Sequence, residues 1–225
     1  MSSNRTPERA SYRPIGDYAL IGDCRSAGLV SRDGSLDWLC FPRFDSPSVF
    51  AALLDARVGG RFRIRPVGEY SSERRYFPDT NVLETTFRGP SGTFVLRDLM
   101  SVASEEDKRR YLTPEHEVLR EVEGIDGEVE VEVLYDPRPD YGLTRPLLER
   151  QWDRGLRCEV GRAVLTLRSE LTLEPRRRGW GASGVARVRA GERKYLSLTY
   201  SREAPAVIAP LGEAARGRIK RTVSW

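Results

Sequence analysis

The densest run of chemistry-bearing side chains lies between Asp37 and Asp45, where Asp37, Trp38, Arg43, Phe44 and Asp45 fall close together. An arginine and a carboxylate hydrogen-bond hydroxyl groups, and an aromatic ring covers the apolar face of a ligand. Pro42 and Pro47 stiffen the stretch that carries Arg43, Phe44 and Asp45, and stiffened loops often present side chains. The same residues admit a plainer reading. Trp38 and Phe41 would then be core, Asp45 would cap the following turn, and Arg43 would pair with a carboxylate. Both readings stand on the sequence. Asp37, Trp38, Arg43, Phe44 and Asp45 are therefore candidate pocket residues.

Most of the chain that must position them has the two-residue period of half-buried strands. Val129, Val131 and Val133 alternate with Glu128, Glu130 and Glu132, and Phe62 and Ile64 alternate with Arg61, Arg63 and Arg65. Leu196, Leu198 and Tyr200 follow the same rule. A helix would scatter these residues around its circumference, so they predict strands. Further strands are expected over 17–22, 82–88, 93–99, 115–123, 156–161, 163–168 and 184–190, with turns at Gly89-Pro90, Asp126-Gly127 and Gly191-Glu192. Asp33-Gly34, between Leu29–Ser31 and Leu36–Leu39, predicts a tight hairpin with positive φ at both central residues. Two stretches have helical spacing. Ser48–Asp55 places Val49, Phe50, Leu53 and Leu54 on one side, and Leu211–Trp225 does the same with Ile219 and Val223. The segment 138–152 lacks alternation and predicts a long connection. The fold class expected is all-β, a large antiparallel β-sandwich with a short helix near residue 50 and a C-terminal helix.

Composition excludes several classes. There are 37 basic and 33 acidic residues, a net charge of +4, and acids are mixed in almost everywhere. That is unlike the basic stripe of a nucleic-acid binder. No apolar run approaches the roughly 20 residues that span a bilayer, and the first ten residues lack the apolar stretch of a secretion signal. Cys24, Cys40 and Cys158 are an odd number at wide spacing, and His116 is the single histidine. Neither a disulfide framework nor a metal site is expected, nor a cofactor. The cysteines read as small buried residues in a reducing, cytoplasmic protein. His116, between Glu115 and Glu117 with no nucleophile beside it, reads as structural. Asp17, Asp23 and Arg25 surround Gly16 and Gly22. A phosphate-cradling loop would open a helix, whereas strand residues follow here, so these are strand ends. Tyr76, Asp79 and Asn81 predict a turn, and Arg176–Arg178 ahead of Trp180 a solvated one.

The run PIGDYALIGDCRSAGLVSRDGSLDWLCFPRFDSPSVFAALLD, from Pro14 to Asp55, resembles the opening of bacterial and archaeal glucoamylase-like and trehalase-like proteins of glycoside hydrolase family 15. Arg75–Thr85 and Asp136–Gly142 fit the same pattern, and the resemblance extends from about Tyr12 to Trp225. It implies a β-sandwich ahead of an α/α barrel of six helical hairpins, with the catalytic pair of glutamates in the barrel. No residue here matches either glutamate, so no catalytic residue is assigned and the chain alone is expected to be inactive. Inverting hydrolysis needs two carboxyl groups about 6.5–9.5 Å apart; with 33 acidic residues, such a pair arises by chance and proves nothing. The implied layout is a disordered lead over 1–12, a sandwich over 13–205 and a linker helix over 206–225 toward the barrel. The implied partners are that α/α-barrel catalytic domain and an oligosaccharide or disaccharide, trehalose or a maltooligosaccharide, with no nucleic acid and no membrane. Arg43, Phe44 and Asp45 would then reach the barrel's sugar site. Tyr141 and Trp152 would stack on a sugar or, the reading preferred here, cover the core. Two further readings are a free-standing carbohydrate-binding module, with Trp38, Trp152 or Trp180 as platforms, and an inactive gene fragment.

Overall fold

The computed structural model describes residues 12–111, 113–151, 155–176, 179–202 and 207–225. The lead expected over 1–12 (all but Tyr12), together with Trp152, Arg177 and Arg178, lies outside them. The described residues form fifteen strands, most of them from the alternating segments, paired antiparallel throughout. They are β1 (Tyr18–Gly22), β2 (Ala27–Ser31), β3 (Ser35–Cys40), β4 (Ser48–Ala51), β5 (Arg61–Pro66), β6 (Ser71–Tyr76), β7 (Leu83–Gly89) and β8 (Gly92–Met100). There follow β9 (Glu117–Asp136), β10 (Glu149–Gln151), β11 (Gly155–Val160), β12 (Ala163–Ser169), β13 (Glu174–Pro175), β14 (Ala182–Arg189) and β15 (Arg193–Ser201).

Two sheets share one strand. The first runs β1-β2-β3-β5-β9-β14-β13, with β4 also on β3; the second runs β6-β7-β8-β9-β15-β12-β11-β10. The N-terminal part of β9 pairs with β8 and β15, and its C-terminal part with β5 and β14. Phe62, Ile64, Val131 and Val133 from the first sheet and Leu96, Val118, Val122 and Leu198 from the second are buried in one core. Alternation therefore gives the all-β sandwich expected. Between the sheets, Arg120 of β9 donates to Asp98 of β8 at 2.6 Å and to the carbonyls of Phe62 and Gly34 at 2.5 and 2.7 Å. Both charged side chains of this pair are completely buried.

Three local expectations need correction, and one helix was not expected. Asp126-Gly127 does not end a strand. β9 continues through it with Gly127 at φ +65°, as the chain passes from one sheet to the other. The β2–β3 turn has three residues, and of Asp33 and Gly34 only Gly34 has positive φ, at +71°. A Cβ there would lie 2.1 Å from the Ile64 carbonyl oxygen, so glycine is required. The predicted helix over 48–55 is β4 followed by a tight turn. All of β4 is buried, because β3 covers one edge and the backbone of Arg138 and Asp140 bonds to the other. A short, wholly apolar run fits helical spacing and strand burial equally. The unpredicted helix α1 (Glu105–Arg110) has no apolar stripe and is held by a Ser104/Asp107 capping box.

The C-terminal stretch forms helix α2 (Glu213–Ser224), as its spacing predicts. It lies on the outer face of the second sheet, where Ala215 and Ile219 pack with Val82, Leu99, Leu119 and Tyr195. A buried polar contact fixes it further. Arg218 Nε donates to Glu117 at 2.9 Å, and the same carboxylate accepts from Ser101 and Ser197.

Candidate functional site

Strand alternation separates the candidate residues. Asp37, on β3, is 2% exposed, and its carboxylate accepts from Ser35 Oγ at 2.6 Å and Tyr18 Oη at 3.0 Å. Arg61 Nε stands 3.6 Å away. Burial first, and the Asp37 carboxylate second, push the Tyr18 phenol far above its ordinary pKa. Asp37 is thus committed to holding β1, β3 and β5 together. Trp38, half-buried on the next position, sets its ring 6.2 Å from that of Tyr141. Tyr141 itself is 48% exposed and follows Asp140 in left-handed backbone, both at φ +56°. Its amide is held by Ser48 Oγ at 3.0 Å.

Arg43, Phe44 and Asp45 occupy the loop between β3 and β4. Arg43 Nε lies 3.1 Å from Asp45 Oδ1, both side chains solvent-exposed, and Phe44 between them is 70% exposed. The loop's backbone is nonetheless tied down. Phe44 N donates to Arg25 O, Ser46 N to Arg43 O, and Arg43 N to Ser46 Oγ. The Asp45 carboxylate accepts from Arg43, and the Ser46 hydroxyl accepts from the Arg43 amide. An apolar ring and an ion pair are thus held out from a fixed backbone, an arrangement suited to contacting something beyond the domain.

Next to this loop is the tip between β1 and β2. Asp23 Oδ1 accepts from the amides of Arg25 and Ser26 at 3.0 and 2.8 Å, as befits a strand end, and Arg25 Nη1 reaches Glu115 at 2.8 Å. Cys24, at φ +66°, is exposed at the tip, contrary to the expectation that all three cysteines are buried. The four-residue connection 23–26 leaves its apex in solvent. Cys40 and Cys158 are buried, and burial pushes their thiols up to about 11 and about 12. The tip lines a groove of about 660 Å³ that also takes in Val102, Lys108, Glu115 and Trp225. An adjoining groove of about 520 Å³ adds Phe77, Asn81 and Val223. The predicted turn at Tyr76, Asp79 and Asn81 is present and bridges two strands, since Tyr76 Oη donates to Leu20 O and accepts from Leu20 N.

At the loop's start, His116 packs in a triangle with the rings of Phe41 and Tyr200, at 5.9 and 6.0 Å. Sequence alone offered no signal for this grouping, because its three members come from three separate segments. No group of three His, Cys, Asp or Glu side chains among the described residues is placed to hold a metal.

Residues 8–172 match the family model described as trehalase-like, N-terminal. The chain belongs to that family. Among similar proteins, a trehalase of Mycobacterium tuberculosis is 32% identical over 90% of this chain and 32% of its own length. A trehalase of Mycolicibacterium smegmatis is 39% identical over 59% of this chain and 21% of its own. Trehalase 1 of Sulfolobus acidocaldarius is 35% identical over 71% and 25%. This trehalase-like N-terminal chain thus spans about a fifth to a third of the relatives it matches. No helix of its described residues is long and apolar enough to cross a membrane.

Proposed function

We propose that this chain is the non-catalytic N-terminal domain of a trehalase-type glycoside hydrolase of family 15, and that the loop 41–47 completes the substrate pocket of an α/α-barrel domain. The observation that carries the reading is the loop itself. Phe44 and the Arg43–Asp45 pair stand in solvent on a backbone fixed by its neighbours. Arg25 supplies the link, since its carbonyl holds the loop on one side and its side chain lines the groove beside Trp225 on the other. A barrel following α2 would emerge at Trp225, within reach of that same end of the sandwich. The relatives' name supports trehalose, an α-linked glucose disaccharide, as the substrate, with maltooligosaccharides as the alternative that the resemblance implies. The domain works in the cytoplasm and needs no cofactor. The five candidates divide accordingly. Arg43, Phe44 and Asp45 face the sugar, whereas Asp37 and Trp38 support β3, the interior strand from which the loop springs.

The test is hydrolysis of trehalose and maltose by the purified chain, with and without a separately expressed barrel domain. Silence alone and activity on mixing is the expected result. Activity from the chain alone would overturn the non-catalytic role. A second reading, a carbohydrate-binding module that works without a barrel, is favoured by the Trp38–Tyr141 pair, whose tyrosine is open to solvent. It requires that trehalose or maltose quench tryptophan fluorescence in the chain by itself.

A further inference from the structure

We propose that His116 is the positioning residue for the loop 41–47, and that it holds Arg43, Phe44 and Asp45 in place only while its imidazole is uncharged. The proposal rests on three features of the junction. First, His116 is wedged between the loop and the rest of the sandwich. Phe41, the loop's first residue, is 3% exposed and lies against both the imidazole and Tyr200, with ring centroids 5.9 Å away in each case. Tyr200 is tied in turn to His116 through its amide, which donates to the His116 carbonyl at 3.1 Å. Second, the three loops that meet there are interlocked. Arg25 accepts from Phe44 N and pairs with Glu115, and Ser26 Oγ donates to the Cys40 carbonyl. A shift of the imidazole is therefore passed directly to the backbone that carries Phe44.

Third, the imidazole has no place to put a second proton. Its Nδ1 is buried and has no hydrogen-bond partner among the described residues. A neutral imidazole tolerates this as an unused acceptor. The imidazolium makes both nitrogens donors, and a buried donor without an acceptor is penalised, the more so when charged. The charged groups facing it do not remove that cost. Glu115 is bound to Arg25, Asp23 is bound to two backbone amides, and Arg25 itself is a like charge. Burial depresses the imidazole's pKa below its ordinary value, with Glu115 and Asp23 opposing and Arg25 assisting.

The coupling can be read in the chain without any barrel. Amide protection of Phe44 and Ser46, followed by NMR in the ¹⁵N-labelled chain between about pH 4 and 8, should fall by about tenfold or more as the His116 ring titrates. The ring's midpoint should lie below 6.5, and Val131 in the core should be unchanged. In His116→Phe, which keeps a ring but cannot titrate, protection of both amides should persist across the range. His116→Gln serves the same purpose should the phenylalanine variant fail to fold. Unchanged protection through the ring's titration, or an equal loss in the variants, would overturn the proposal. So would a ring that stays neutral until the whole chain unfolds. The consequence for catalysis rests on the proposed pocket role and is tested apart from it. A complete two-domain protein that hydrolyses trehalose equally well with the loop removed would end the pocket role and leave the coupling standing.

Discussion

Two of this domain's arginine–aspartate pairs stand under opposite conditions. Arg120 and Asp98 are sealed between the two sheets with no exposed side-chain surface, whereas Arg43 and Asp45 are 68% and 58% exposed on the loop beyond β3. The same pair of side chains therefore has two uses. Inside, the guanidinium spans the core and satisfies backbone carbonyls of Phe62 and Gly34 on the opposite sheet. It specifies how the sheets face each other, and neither charge is free for anything else. Outside, the pair contributes little to folding, because water competes for both groups. Its geometry is held by the loop's backbone, so its hydrogen-bonding capacity remains for a partner. The buried pair is structural, and the exposed pair is the one the proposed pocket role assigns to function.

The sharpest way to break this contrast is Asp98→Ala. It leaves the Arg120 charge buried and uncompensated, and should cost about 3–5 kcal/mol in urea unfolding. A loss below about 1 kcal/mol would mean that water reaches Arg120 and that the two pairs are alike after all. Arg218→Ala comes next. It strips Glu117 of its charged partner while Ser101 and Ser197 still donate, so about 3 kcal/mol is expected. It should also open trypsin cleavage at Arg216 and Lys220, as α2 leaves the sheet. The wild-type domain should lose some stability as the pH falls below 6.5 toward the lower His116 pKa in the fold. There the unfolded chain binds the proton and the native one resists it. In His116→Phe that segment of the pH–stability curve should be flat. The smallest effect on folding belongs to Arg43→Ala, within about 0.5 kcal/mol of wild type. In a complete two-domain protein the same change should lower kcat/KM for trehalose by about tenfold, or ~1.4 kcal/mol. A large stability loss with unchanged kcat/KM would reverse the assignment of the two pairs.

Legibility followed the same division. Strands with one face in the core announced themselves, as Val129, Val131 and Val133 do in β9 and Phe62 and Ile64 in β5, because burial on one side imposes a period. Where both faces are buried the period vanishes, and β4 passed for a helix. Where neither face is deeply buried it vanishes as well. β6, with the sequence SSERRY on the edge of the second sheet, shows no alternation to read. The candidate loop could be marked by its prolines and its mixed ring and charges. Its surroundings could not. Arg25, His116, Glu115 and Tyr200 meet it only through long-range pairing, which no local pattern encodes. The same limit hid the role of Asp37, whose partners Tyr18 and Arg61 lie on two other strands.

The strand common to both sheets bears on where this unit can be cut. The family match stops at residue 172, yet both halves of β9 depend on chain that comes later. Its first half has β15 on one side and its second half has β14. A version trimmed to the matched residues would expose one flank of β9 in each sheet at once, leaving two raw edges where the intact molecule has none. Such a product should pair with copies of itself and precipitate. Anyone expressing, grafting or recombining this module should therefore place the boundary beyond Ser201, and beyond Ser224 to keep the helix that roofs the second sheet.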